Sequence, residues 1–152
     1  MKQPVTISKR ALIIGFGNPL REDDGLGWRA AELIESEQPD AAVIKCHQLT
    51  PELAEAISQA SLVIFLDASM NQAPGEVSTQ HIGRENPQAL SHHLSPAQLM
   101  GFTEQLFGET PRSFLITCRI ENVGWSEELS RRSQRSAERM AAAAQALVRE
   151  SS

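Results

Sequence analysis

The chain has 152 residues, which suits one domain built on one core, and its 41% hydrophobic and 22% charged residues are those of an ordinary globular protein. A net charge of −5 argues against a general nucleic-acid binder, which needs a basic stripe. The opening MKQPVTISKR lacks the apolar run of a secretory leader, and no segment approaches the ~20 apolar residues of a bilayer span. The expectation is a cytoplasmic protein with reduced thiols, no nucleic-acid partner and no membrane insertion.

In chain order, residues 1–9 read as a loose lead-in to a single domain covering 1–152. Ala11–Ile14 is a short apolar run ending at Gly15, a buried strand. The turn GFGNPLREDDGLG, Gly15–Gly27, leads into a helix over Leu26–Glu35 whose apolar positions form a broad inner face. Ala42–Cys46 is the next strand. Thr50, Pro51, Glu52 and Glu55 then open a helix that runs to about Ser58. Leu62–Leu66 is continuously apolar, a central strand buried on both faces that ends at Asp67.

Met70–Gly75 is loop and Glu76–Ile82 a weakly alternating edge strand, followed by a polar, irregular Gly83–His93. Ser95 caps a helix with Pro96 at its first position, running to about Phe107. Ser113–Ile120 is a further strand, Trp125–Leu129 a loop, and Ser130–Arg149 a final helix rich in Ala and Arg. The alternation predicts an α/β fold, a three-layer sandwich with a mostly parallel central sheet flanked by helices. Sites in such sheets form beyond the carboxyl ends of the strands, where Asp24 and Asp67 fall.

The glycine-rich turn invites a dinucleotide-binding reading, but Leu20 stands where that motif needs its third glycine. Glu22, Asp23 and Asp24 would also repel a phosphate at the helix start. Asp23 or Asp24 has a plain role available as a helix cap, although three acids are more than a cap needs. Asp67 is placed either for a ligand or for a turn. His92 and His93, in SHHLSP, stand at a loop–helix junction as candidate metal ligands, proton shuttles or surface residues.

An Asp–Asp–His set suits a divalent transition metal with coordination positions left open. Cys46 and Cys118 lack metal or redox spacing and read as small hydrophobes. Cys46–His47 is a poor nucleophile–base pair, because neighbouring strand residues point to opposite faces. His81 reads as structural or exposed. The arginines at 131, 132, 135 and 139 read as a solvated helix face.

These pieces, taken together, resemble the nickel–iron hydrogenase maturation proteases, the endopeptidases that trim the C-terminus of the hydrogenase large subunit. GFGNPLREDDGLG resembles the family's GxGNxLxxDDGxG signature, FLDAS its second motif, SHHLSPAQLM its third, and FLITCRIENVGWSEELS its last strand and the loop into the final helix. Trp125 stands where another aromatic is more usual, and the family's glycine near Cys118 or Arg119 is missing.

The resemblance implies that Asp24, Asp67 and His92 form the catalytic, metal-binding set, with His93 the near alternative to His92. It implies a second-shell or capping role for Asp23, and a turn shaped by Gly15, Gly17 and Asn18. It further implies a large-subunit precursor as partner, with nickel supplied by that precursor, or otherwise a divalent transition metal in the protein's own site. The competing expectations are a non-catalytic nickel-binding module and a small-ligand-binding α/β protein.

Overall fold

The computed structural model describes residues 10–17, 25–69, 72–87, 93–119 and 126–151, with side chains not described for 126–130. Its centre is a sheet of β1 (Ala11–Phe16), β2 (Ala42–Cys46), β3 (Leu62–Ala68), β4 (Val77–His81) and β5 (Arg112–Cys118) in the order β2-β1-β3-β5-β4. The pairings are parallel except that of β4, which lies antiparallel to β5. β3 is central because it can be: Leu62, Val63, Ile64, Phe65 and Leu66 are all fully buried, each stabilising the fold by roughly 1.5–3 kcal/mol over exposure.

Alternation along the strands divides the core into two layers. Ile13, Leu62, Ile64, Leu66, Ile116 and Cys118 face α1 (Leu26–Glu37) and α4 (Ser126–Glu150). Leu12, Ile14, Val63, Phe65 and Leu115 face α2 (Ala54–Ser58) and α3 (Pro96–Phe107). Helices therefore cover both faces of the sheet, as the apolar runs predict.

Ser95 forms a full capping box with Gln98, each side chain bonded to the other's backbone N–H, worth about 1 kcal/mol.

The boundaries differ from expectation at several elements. β1 runs on to Phe16, and β3 continues to Ala68, so that Asp67 is inside the strand, paired with Thr117 of β5. Pro51–Leu53 forms a 3-10 turn before α2, and Thr50 makes no side-chain cap bond; proline fixes the start while only one short α-turn follows. α4 begins at Ser126 where a loop to Leu129 was expected. α1 has Gly25 as its N-cap residue, with no side-chain cap bond. Asp23 and Asp24, the caps the sequence offers, lie outside the described residues.

Candidate functional site

The strand order sets the position of the site. β1 connects through α1 to β2 on one side, and the chain then returns across β1 to β3 on the other. The crevice beyond the carboxyl ends of β1 and β3 is the switch point at which open α/β sheets bind ligands. Asp67 stands there, half-buried. By alternation it shares a face with Val63 and Phe65, the α2/α3 side. Phe16 ends β1 on the same face and meets the Phe65 ring edge-on at 6.5 Å. The aspartate therefore rises from an apolar floor.

Two glycines bring α1 close to this crevice. A Cβ on Gly27 would lie 2.4 Å from the Leu66 carbonyl oxygen and 3.0 Å from that of Phe16. A Cβ on Gly15 would lie 2.4 Å from the Gly27 oxygen and 2.9 Å from the Ala31 Cβ. Gly27 thus supplies the close helix–sheet approach that Leu20 seemed to preclude. It places the positive end of the α1 dipole beside the strand ends. Gly17 adopts a φ of 134°, a conformation that side chains other than glycine's rarely tolerate. Its N–H donates to the Cys46 carbonyl at 3.1 Å.

That same carbonyl accepts a 2.9 Å bond from Trp28 Nε1, and the Trp28 ring packs on His47 at 5.7 Å. His47 is therefore held by an aromatic side chain of α1. Burial raises the Cys46 thiol above its ordinary value, which keeps it protonated and opposes the nucleophile reading. Across the crevice, the Leu94 N–H donates to the Leu49 carbonyl at 3.2 Å, which ties the chain next to His93 to the loop that follows β2. His93 itself is exposed. His81 is also exposed, its ring edge-on to Phe114 at 5.1 Å.

Of the expected set, Asp24 and His92 lie outside the described residues, as do Asn18 and Asp23. Their flanking residues, Gly17, Gly25 and His93, are described. Among the described residues no group of three or more His, Cys, Asp or Glu side chains is placed to hold a metal ion.

Sequence reasoning passed over the neighbours of Asp67. Thr117, its partner across the ladder, donates from Oγ1 to Gln72 Oε1 at 2.8 Å. The Gln72 amide donates to the Thr117 carbonyl at 3.1 Å and to the Glu76 carbonyl. The Arg119 guanidinium binds the Gln72 carbonyl at 3.3 Å. No motif marks Gln72; its role follows from the loop folding back on β5. None of the described helices is long and apolar enough to cross a membrane.

No protein-family model and no curated protein matches the chain. Solved structures do. A NiFe hydrogenase maturation protease HycI from Thermococcus kodakarensis KOD1 aligns over 88% of this chain and 90% of its own, with 26% identity and a TM-score of 0.64. The maturation protease HybD from Thermococcus kodakarensis covers 91% of this chain and 99% of its own at 23% identity and a TM-score of 0.66. The hydrogenase maturating endopeptidase HybD from E. coli covers 88% and 91% at 21% identity and a TM-score of 0.57. Over some nine-tenths of its length, then, this chain is similar to the NiFe hydrogenase maturation proteases, the family that its acidic turn resembles in sequence.

Proposed function

We propose that this protein is an endopeptidase that removes the C-terminal extension of a nickel–iron hydrogenase large-subunit precursor once nickel has been inserted. The observation that carries the reading is the position of Asp67 at the switch-point crevice, bordered by Gly15 and Gly27, within a fold shared with proteins named as NiFe hydrogenase maturation proteases. In this reading Asp24, Asp67 and His92 grip the nickel that the precursor carries. A carboxylate such as Asp67 above an apolar floor favours a cationic centre. Bound there, a divalent metal supplies Lewis-acid polarisation of a carbonyl or an activated water.

The chain's own residues do the positioning. Thr117 and Gln72 fix the strand end beside Asp67. Gly27 lets the start of α1 approach the crevice, and the N–H groups there favour negative charge developing on a carbonyl oxygen. The large-subunit precursor is the partner, and the cytoplasm, where that precursor is assembled, the compartment.

The test is to incubate the protein with nickel-loaded precursor and to measure the product mass. A single loss of the C-terminal peptide is expected. Tight nickel binding with no mass change would favour a non-catalytic nickel-binding module. Asp24→Asn and His92→Ala are expected to abolish processing with the fold retained, and normal cleavage by both would overturn the site. A larger loss in His93→Ala than in His92→Ala would transfer the ligand role to His93.

A further inference from the structure

Thr117 stands next to Asp67 as its register partner across the β3–β5 ladder, at a parallel-strand spacing of about 4.8 Å. It alternates with Leu115, so its side chain shares the α2/α3 face with Asp67. Both residues are half-buried, so each keeps part of its surface accessible.

The direction of the Thr117 hydroxyl proton is fixed by its neighbour. The Gln72 amide nitrogen donates to two backbone carbonyls, that of Thr117 at 3.1 Å and that of Glu76. A flipped amide would turn its oxygen on both of those carbonyls, so only one orientation is satisfied. Gln72 Oε1 therefore faces Thr117 Oγ1 at 2.8 Å, and it can only accept. A threonine hydroxyl has one proton, and here that proton is committed to Gln72. Two lone pairs remain on Oγ1, and among the described residues no donor reaches them.

The backbone at this end of β5 is already engaged. The carbonyls of Thr117, Cys118 and Arg119 accept from Gln72 Nε2 at 3.1 Å, the Ser69 N–H at 3.0 Å and the Gly75 N–H at 2.6 Å. β5 also lies between β3 and β4, with no open edge. What the strand end offers an incoming chain is thus a side-chain acceptor, with the Asp67 carboxylate alongside it. Adjacent acceptors suit a partner that carries regularly spaced N–H groups, and an extended peptide is such a partner. It advances about 3.4 Å per residue, so it covers the step from Asp67 to Thr117 in about one or two residues.

We propose that Thr117 Oγ1 is a substrate-binding group, which accepts a hydrogen bond from a backbone N–H of the precursor about one or two residues from the residue seated at Asp67. The inference rests on the peptidase reading for its occupant, the peptide segment around the bond to be cut.

The experiment uses nickel-loaded large-subunit precursor made by ligating a synthetic C-terminal segment. The segment is either all-amide or has one backbone N–H at a time, on each side of the cut but not at it, replaced by an ester oxygen. Initial rates from product mass give KM and kcat for the wild-type protein and three variants. Thr117→Val and Thr117→Ala remove the acceptor, Thr117→Ser keeps it, and melting curves confirm the fold of each. Thr117→Val and Thr117→Ala are expected to raise KM about five- to tenfold, with kcat within about twofold of wild type. Thr117→Ser should match the wild-type protein. One ester position should raise the wild-type KM by the same factor and cost nothing further in Thr117→Val, because the bond it removes is already gone.

Equal KM for the wild-type protein and both acceptor-free variants overturns the contact. So does an ester series in which every cost is unchanged by Thr117→Val, since a purely structural role for Thr117 would add to each ester independently. Failure of the wild-type protein to cut the all-amide precursor overturns the peptidase reading instead. The same proteins are then compared by the Kd of that precursor in interferometry, where equal affinities, or no binding by the wild-type protein, overturn the contact in its turn.

Discussion

Gly27→Ala tests how the crevice is built. The added methyl carbon would lie 2.4 Å from the Leu66 carbonyl oxygen and 3.0 Å from that of Phe16. Both obstacles are backbone atoms of the central strands, so neither can rotate away. The start of α1 must shift outward by the better part of an ångström, loosening Leu26, Ala30, Ala31 and Ile34, all fully buried against the sheet. Overpacking of this kind costs about 1–3 kcal/mol, and contact with backbone belongs at the upper end of that range. Alanine recovers up to ~1 kcal/mol through helix propensity. The net expectation is a loss of about 2 kcal/mol, read in thermal unfolding as a Tm lower by roughly 4–8 °C for a chain of this size. Gly83→Ala is the control, since its Cβ would meet nothing within 4 Å, and it should be neutral or stabilising by up to ~1 kcal/mol. Equal or higher stability of Gly27→Ala would refute the close-approach argument.

Three further outcomes follow from the same geometry. Ser95→Ala removes one half of the capping box and should cost about 1 kcal/mol in denaturant titration; an unchanged midpoint would show that the proline start alone sets α3. Trp28→Phe keeps the ring against His47 but loses the bond to the Cys46 carbonyl, and should cost about 1 kcal/mol, with no change expected only if that bond is dispensable. Burial raises the Cys118 thiol above 9.0, against smaller lowering influences from Ser136, Arg139 and the Arg119 backbone. Because the folded state then holds its proton more tightly than the unfolded chain, this contribution is intact below pH ~9 and is lost as pH rises beyond it. Stability should therefore fall in that alkaline range, and less so in Cys118→Ala; identical slopes for the two proteins would contradict the assignment.

Local chemistry made much of this molecule readable. The five apolar residues from Leu62 to Leu66 specify a strand buried on both faces, and Ser95 with Pro96 specifies the start of α3. In LVIFLDA the apolar run marks Asp67 as lying near the carboxyl end of the central strand, although β3 runs one residue past it to Ala68. What escaped depends on partners distant in sequence. Gly27 looks like an ordinary helix glycine until Phe16 and Leu66 are placed beneath it. The arginines at 131, 135 and 139 of α4 are exposed, as their solvated-face pattern predicts, but the 2.8 Å bond from Arg139 to the Gly75 carbonyl is a contact no local pattern encodes. Gln72 acquires a role only because Thr117, 45 residues away, is its neighbour. The antiparallel direction of β4 likewise follows from the loop that returns it to β5, which no local pattern encodes.

The central claim is that Asp67 belongs to the site at which a nickel-bearing precursor is cut. Its most direct test is the intact mass of nickel-loaded large-subunit precursor after incubation with the wild-type protein and with Asp67→Asn, the two shown by circular dichroism to share one fold. The account predicts loss of one C-terminal peptide with the wild-type protein and an unaltered precursor with Asp67→Asn. Equal cleavage by both proteins, or by neither, would contradict it.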